Sequence, residues 1–233
     1  MGNRSCAIRY LILTGIISLL GACSGSGSGD PDAIRYRVTF SEAWDATNFP
    51  TQFPPNSHFS SLIGAVHGPG VDFFELNQGA SSGVESMAET GSTFGLRTEV
   101  KTAIAAGNAL QVISGGGISN ANTSVSSEFT VSVAFPLVSL FSMVAPSPDW
   151  FVAVDGVDLG DRNGGFVDSL TVDLVVYDSG TDDGVSFTSA NSNSSTVITR
   201  LSCVDPVNHC GFDEGKGTNS VEFIGSFSFV RIQ

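Results

Sequence analysis

Basic residues are scarce in this 233-residue chain: Lys and Arg total 10 against 23 Asp and Glu, a net charge of −13. Sequence-independent nucleic-acid binding needs a basic surface, so that class is disfavoured from the start. The same imbalance argues against electrostatic docking on anionic lipid unless a cation intervenes. Charge of either sign is thin at 14%, while hydrophobic residues reach 41%, enough for a packed core and too much for a disordered chain. No apolar run is long enough for a membrane-spanning helix, which takes roughly 18–20 residues. There is no G-x-S-x-G elbow, H-E-x-x-H, P-loop or dinucleotide fingerprint. What is plentiful is Gly, at 27, and Phe, at 17, against 2 Trp and 3 Tyr. That mix favours short strands joined by turns over a helical bundle, in one domain or two small ones.

The amino terminus reads as a bacterial lipoprotein signal over residues 1–22. Arg4 and Arg9 precede an apolar stretch, Tyr10 to Leu20, and Leu20-Gly21-Ala22-Cys23 has the aliphatic, small, small, Cys order of a lipobox. Cys23 is the expected lipidation site, and 23–33 a Ser/Gly tether from it. Ser24 after Cys23 points to the outer membrane or cell surface. Of four Cys, Cys6 leaves with the signal; Cys203 and Cys210 remain and are expected to pair as a disulfide in an oxidising compartment, with a metal site including His209 as the alternative.

Residues 34–41 alternate, with Ile34, Tyr36, Val38 and Phe40 on one face, which predicts a half-buried strand. A loop-rich stretch follows. Residues 92–107 form the clear helix candidate, with Leu96, Val100 and Ile104 in helical spacing and Gly107 at its end; 83–90 forms a shorter helical turn. Further strands are predicted at 109–113, 129–133, 137–144, 150–154, 170–176, around Val185 and Phe187, at 196–201 and at 221–232, with a bulge at Gly225. The fold class is therefore an all-β antiparallel sandwich with one or two short helices, over 34–233.

Aspartates concentrate in 149–183, which contains no Glu and a single basic residue, Arg162. Crowded carboxylates repel, and a hard divalent cation resolves the repulsion; Ca²⁺ takes about six to eight oxygen ligands. Gly180 between Asp178 and Asp182 lets the chain curl so that both carboxylates face one point. Solvated turn aspartates are the plain alternative, and the spacing is not that of an EF-hand. His58 and His67 are zinc or base candidates, more simply read as hydrogen-bonded loop or core residues. Trp44 and Trp150 read as core anchors.

Two strings carry a resemblance. Met143-Val144-Ala145-Pro146-Ser147-Pro148-Asp149-Trp150-Phe151 and Tyr177-Asp178-Ser179-Gly180-Thr181-Asp182-Asp183-Gly184 resemble the spondin amino-terminal domain, as do Ile63-Gly64-Ala65, His67 and Met87-Ala88-Glu89-Thr90-Gly91 earlier on. The resemblance covers about 35–232. It implies a sandwich like the synaptotagmin-type lipid-binding domains, with one Ca²⁺ held by Asp149, Asp178 and Asp182. A further acidic ligand of some members aligns with Thr130, and Glu128 is the expected substitute. The functional expectation is a calcium-binding, non-enzymatic adhesion or recognition module on the bacterial envelope, with a surface protein or glycan as partner. The alternative is a metal-dependent hydrolase of envelope or environmental polymers, which the missing nucleophile and base signatures disfavour.

Overall fold

The computed structural model describes residues 33–50, 53–119, 122–201, 212 and 223–233. The signal segment 1–22, Cys23, almost all of the 23–33 tether and the Cys203–Cys210 pair lie outside the described residues.

The elements, in chain order, are β1 (Ile34–Glu42), β2 (His58–Phe59), β3 (Ile63–His67), α1 (Ser82–Thr90), α2 (Phe94–Ala105), β4 (Ala109–Ser114), β5 (Ser124–Val131), β6 (Leu137–Ala145), β7 (Trp150–Asp158), β8 (Ser169–Leu174), β9 (Val176–Asp178), β10 (Thr199–Arg200) and β11 (Gly225–Arg231). They form two sheets. One has the order β5-β1-β11-β8; the other runs β10-β9-β7-β6-β3-β4, with β2 added beside β6. Pairing is antiparallel throughout the described strands. The all-β sandwich is present, with its two helices.

Alternation explains the smaller sheet. Tyr36, Val38 and Phe40 of β1, Phe129 and Val131 of β5, and Phe227 and Phe229 of β11 point into the space between the sheets, where they meet Val138, Leu140, Trp150 and Val152 of the larger sheet. Phe40 packs edge-on against Phe59 and Phe227, each at a ring separation of 4.9 Å. The larger sheet has no polar face at its centre. The opposite side of β6 and β7 carries Phe141, Met143, Phe151 and Ala153, which are covered by Val84, Met87 and Ala88 of α1 and Leu96, Val100 and Ala103 of α2. Burial on both faces is why β6 and β7 read as nearly unbroken apolar runs.

Four expectations change. The stretch after residue 60 holds a central strand, β3, wedged between β4 and β6. All five of its residues are buried, so it shows no alternation to betray it. Val185 and Phe187 are not in a strand; Phe187 instead packs on Trp44, Trp150 and Phe212. Of 196–201, only Thr199–Arg200 pairs. Gly225 makes no bulge: it pairs in register with Glu42 and Leu174. Its role is close approach, since a Cβ there would lie 2.6 Å from the Ser41 carbonyl oxygen.

Truncating Phe40 empties the space between the sheets. Phe40→Ala is expected to lose about 3–5 kcal/mol of unfolding free energy, against about 0.5 kcal/mol for Thr39→Ala on the outer face. Chemical denaturation of the two variants measures the difference.

Candidate functional site

Three carboxylates come together where β6, β7 and β9 end. The turn between β6 and β7 is closed by Ser147, whose hydroxyl donates to the Val144 carbonyl at 2.5 Å and accepts the Trp150 N–H at 3.1 Å. This sets Asp149 directly before β7. Asp178 closes β9 and pairs with Trp150 in the sheet register. The chain then curls through Gly180 at φ 72°, a left-handed conformation open to glycine at little cost. A side chain there would also collide with Thr196, since a Cβ would lie 2.6 Å from its hydroxyl. Backbone bonds from Thr196 to Gly180, Ser194 to Thr181 and Asp183 to Ser192 stitch this loop to the 192–196 segment.

Asp149 is fully buried. Its Oδ2 accepts from the Thr181 N–H (2.8 Å), the Ser179 hydroxyl (2.9 Å) and the Asp182 N–H (3.1 Å). Its Oδ1 is buried with no hydrogen-bond partner. Desolvation raises its pKa, the Thr181, Ser179 and Asp182 hydrogen bonds oppose the rise, and the Asp182 charge adds to it. Asp178 is pushed up to about 6, first by desolvation and then by the Asp149 charge, against hydrogen bonds from Gly180 and Trp150. Its Oδ1 caps its own turn through the Gly180 N–H at 2.7 Å. Asp182, 5% exposed, does the same with the Gly184 N–H at 2.7 Å. An open groove of about 420 Å³ lies alongside, lined by Asp178, Asp182, Asp183, Val185, Val197 and Arg200 among others.

The structure thus brings together Asp149, Asp178 and Asp182, and adds one acid not singled out as a ligand. Glu89, at the end of α1, has its pKa raised by desolvation, lowered by a hydrogen bond from Thr181, and raised by Glu85, Asp149 and Asp182. Its signal in sequence was its place in the Met87-to-Gly91 string.

Glu128 does not join them. It lies on the outer face of the smaller sheet, where Arg35 and Arg37 donate to its two oxygens at 2.6 and 2.7 Å. Arg37 first, with Arg35, holds its carboxyl below the usual range. The remaining aspartates of the 149–183 window scatter. Asp158, for one, pairs with Leu137 at the opposite end of β6 and β7. The histidines are separated too. His58 pairs with Ala145 and His67 with Leu137, at opposite ends of β6 and so about 26 Å apart, too far to share a zinc ion. His67 is buried, whereas His58 is exposed, with its Nδ1 2.8 Å from the Asn56 carbonyl oxygen. Trp44 and Trp150 are core residues, each 1% exposed.

The family model described as Spondin_N matches residues 34–210. The chain belongs to the spondin N-terminal domain family. It is 31% identical to Spondin-2 of Rattus norvegicus over 251 residues, an alignment taking in 100% of this chain and 74% of that one. It is 37% identical to Spondin-2 of Homo sapiens over 227 residues, 89% of this chain and 65% of the relative. Spondin-1 of Gallus gallus is 33% identical over 164 residues, 67% of this chain but 20% of that protein. The spondin domain here is thus a small part of the Spondin-1 chains. Among the described residues, no helix is long and apolar enough to cross a membrane.

The donor set fits a hard cation in kind: three oxygen-only side chains, two of them with carboxyl pKa raised by loss of water, and one buried oxygen without a hydrogen. As the loops stand, no group of three such side chains among the described residues is arranged to hold an ion. Asp178 and Asp182 each commit an oxygen to their own turns, so binding would require those side chains to turn inward.

Without a cation the cluster penalises the fold at neutral pH. The folded pKa of Asp178, about 6, lies above its ordinary value of 3.8. The stabilisation from its protonated form is complete below pH 3.8 and lost as pH rises through 6. In chelator, Asp178→Asn is expected to stabilise the spondin domain at pH 7 by about 1–2 kcal/mol and to flatten this fall. Thermal melts between pH 4 and 8 measure both.

Proposed function

We propose that this chain is a calcium-stabilised, non-enzymatic recognition and adhesion domain, held at the bacterial envelope by lipid on Cys23. The observation that carries the reading is the buried, unpartnered Asp149 Oδ1 beside two further carboxylates. Asp149, Asp178 and Asp182 would hold the ion, with Glu89 beside them. A bound Ca²⁺ supplies fixed positive charge and coordination there, and no reacting group. The chain's own residues supply the rest: the Asp149 hydrogen bonds to Ser179, Thr181 and Asp182 tie the 178–184 loop to the end of β7. The groove beside that loop then presents a fixed surface to a surface protein or glycan.

Family membership supports the extracellular, non-enzymatic role. The lipobox at Leu20–Cys23 supports the tether, and the net charge of −13 supports neither nucleic acid nor bare anionic lipid as partner. The hydrolase alternative finds less support: no nucleophile signature occurs in the sequence, and the carboxylates that could serve as acid or base are the same ones proposed to hold the ion.

Calcium at a hundred times its dissociation constant should stabilise the domain by about 2.7 kcal/mol, raising Tm by several degrees over chelator. Asp178→Asn combined with Asp182→Asn should remove most of that rise, and Glu89→Gln a smaller part. Identical wild-type melts with calcium and with chelator would exclude the site. Cys23→Ser should shift the protein from the membrane fraction of cells to the soluble one, as read by fractionation.

A further inference from the structure

We infer that His67, Ser139 and Asp155 share one proton inside the larger sheet, and that losing it as pH rises weakens the sheet at that point. The three residues sit where two irregularities meet. The β3–β4 register shifts between Val66 and His67, and the β6–β7 register shifts between Val138 and Leu140, around Ser139. His67 and Ser139 are fully buried.

The site has too few hydrogens for its contacts. The Ser139 Oγ has three close neighbours: His67 Nε2 at 2.7 Å, Asp155 Oδ1 at 2.5 Å and the Gly156 nitrogen at 2.9 Å. A hydroxyl has one hydrogen and two lone pairs. The Gly156 N–H donates and occupies one lone pair. One lone pair and one hydrogen remain for two partners. His67 Nδ1 lies 2.9 Å from the Gly68 carbonyl oxygen, which can only accept, so Nδ1 carries a hydrogen. In a neutral imidazole Nε2 is then bare. A bare Nε2 and an ionised Asp155 would both need the single Ser139 hydrogen.

An extra proton settles the conflict in either of two places. On Nε2, the ring donates to Ser139 and Ser139 donates to Asp155. On Asp155, the acid donates to Ser139 and Ser139 donates to the ring. Both arrangements satisfy every group and neutralise the pair. Without that proton, two acceptors face one hydrogen, and the one that loses it meets the serine oxygen lone pair to lone pair, even though Asp155, half-buried, also accepts from the Phe73 N–H.

The surroundings agree. Burial raises the Asp155 pKa, and the Asp72 charge adds to the rise; Ser139, the Phe73 N–H and His67 oppose it. Phe73 packs edge-on to the His67 ring at 5.4 Å, and its N–H is 3.4 Å from Asp155. Asp173 and Arg200 are the other charged residues of a groove of about 280 Å³ that Asp155 lines. The trio is not a hydrolytic triad. Its serine lies between the base and the acid, and is closed to any substrate.

Burial raises the Asp155 carboxyl pKa, so the folded chain holds a proton here that the unfolded carboxyl would release. Its stabilisation is therefore present at low pH and lost as rising pH removes the shared proton. Asp155→Asn tests this, because an amide can donate to Ser139 as a protonated acid does. Thermal melts of the full chain between pH 6 and 9 should show the wild-type Tm falling by about 3 °C or more. Asp155→Asn should make the fall markedly shallower, leaving only the part that Asp178, present in both chains, contributes near pH 6. A flat wild-type profile, or an unchanged slope in Asp155→Asn, overturns the proposal. Should that variant not fold, NMR of wild type labelled at His nitrogen and Asp carboxyl carbon decides. A single titration common to His67 and Asp155 supports the shared proton; independent titrations, or a neutral His67 beside an ionised Asp155 throughout the pH series, overturn it.

Discussion

Carboxylates removed from water at the end of a rigid sheet set the terms for the rest of this molecule. Asp149 is fully buried and leaves one oxygen without a partner, and Asp178 and Asp182 press on it electrostatically. A buried, unpaired polar atom costs about 1–3 kcal/mol, and more when charged. Among the described residues, the ion pairs run from Arg35 and Arg37 to Glu128, so those cations are committed elsewhere. The cluster is held in place by strong local bonds that it would not need if its purpose were solvation. An arrangement that opposes folding and is built so firmly is what the proposed cation site calls for.

The fold supplies the firmness. β6 and β7 are buried on both faces, by the smaller sheet on one side and by α1 and α2 on the other. The turn carrying Asp149 joins these two strands, and the loop carrying Asp178 and Asp182 leaves β9, which pairs with β7. Rigid strands thus deliver the acids, while loops stitched to one another give them room to adjust. Glu89 reaches the same place from the helical layer, which makes the cluster a meeting point of sheet and helix.

How much of this the sequence disclosed follows from the kind of contact involved. β1 was legible because Tyr36, Val38 and Phe40 alternate with exposed residues. β3 was not, because Ile63 to His67 are all buried and include a glycine and a histidine. Val185 and Phe187 imitated a strand, yet Phe187 alternates only by chance and belongs to an aromatic cluster with Trp44 and Trp150. In the site, Asp149, Asp178 and Asp182 were visible through the order of two strings. Glu128 was misplaced because its partners, Arg35 and Arg37, meet it only through the β1–β5 register. The trio of His67, Ser139 and Asp155 left no local trace, since its members lie on three strands and meet where two register shifts coincide.

The central claim is that the space between Asp149, Asp178 and Asp182 belongs to a calcium ion. Crystals grown with calcium and measured for anomalous scattering address it directly. The account predicts one strong peak within about 2.3–2.6 Å of oxygens from all three aspartates, including Asp149 Oδ1. Water alone between the three carboxylates at saturating calcium would contradict it.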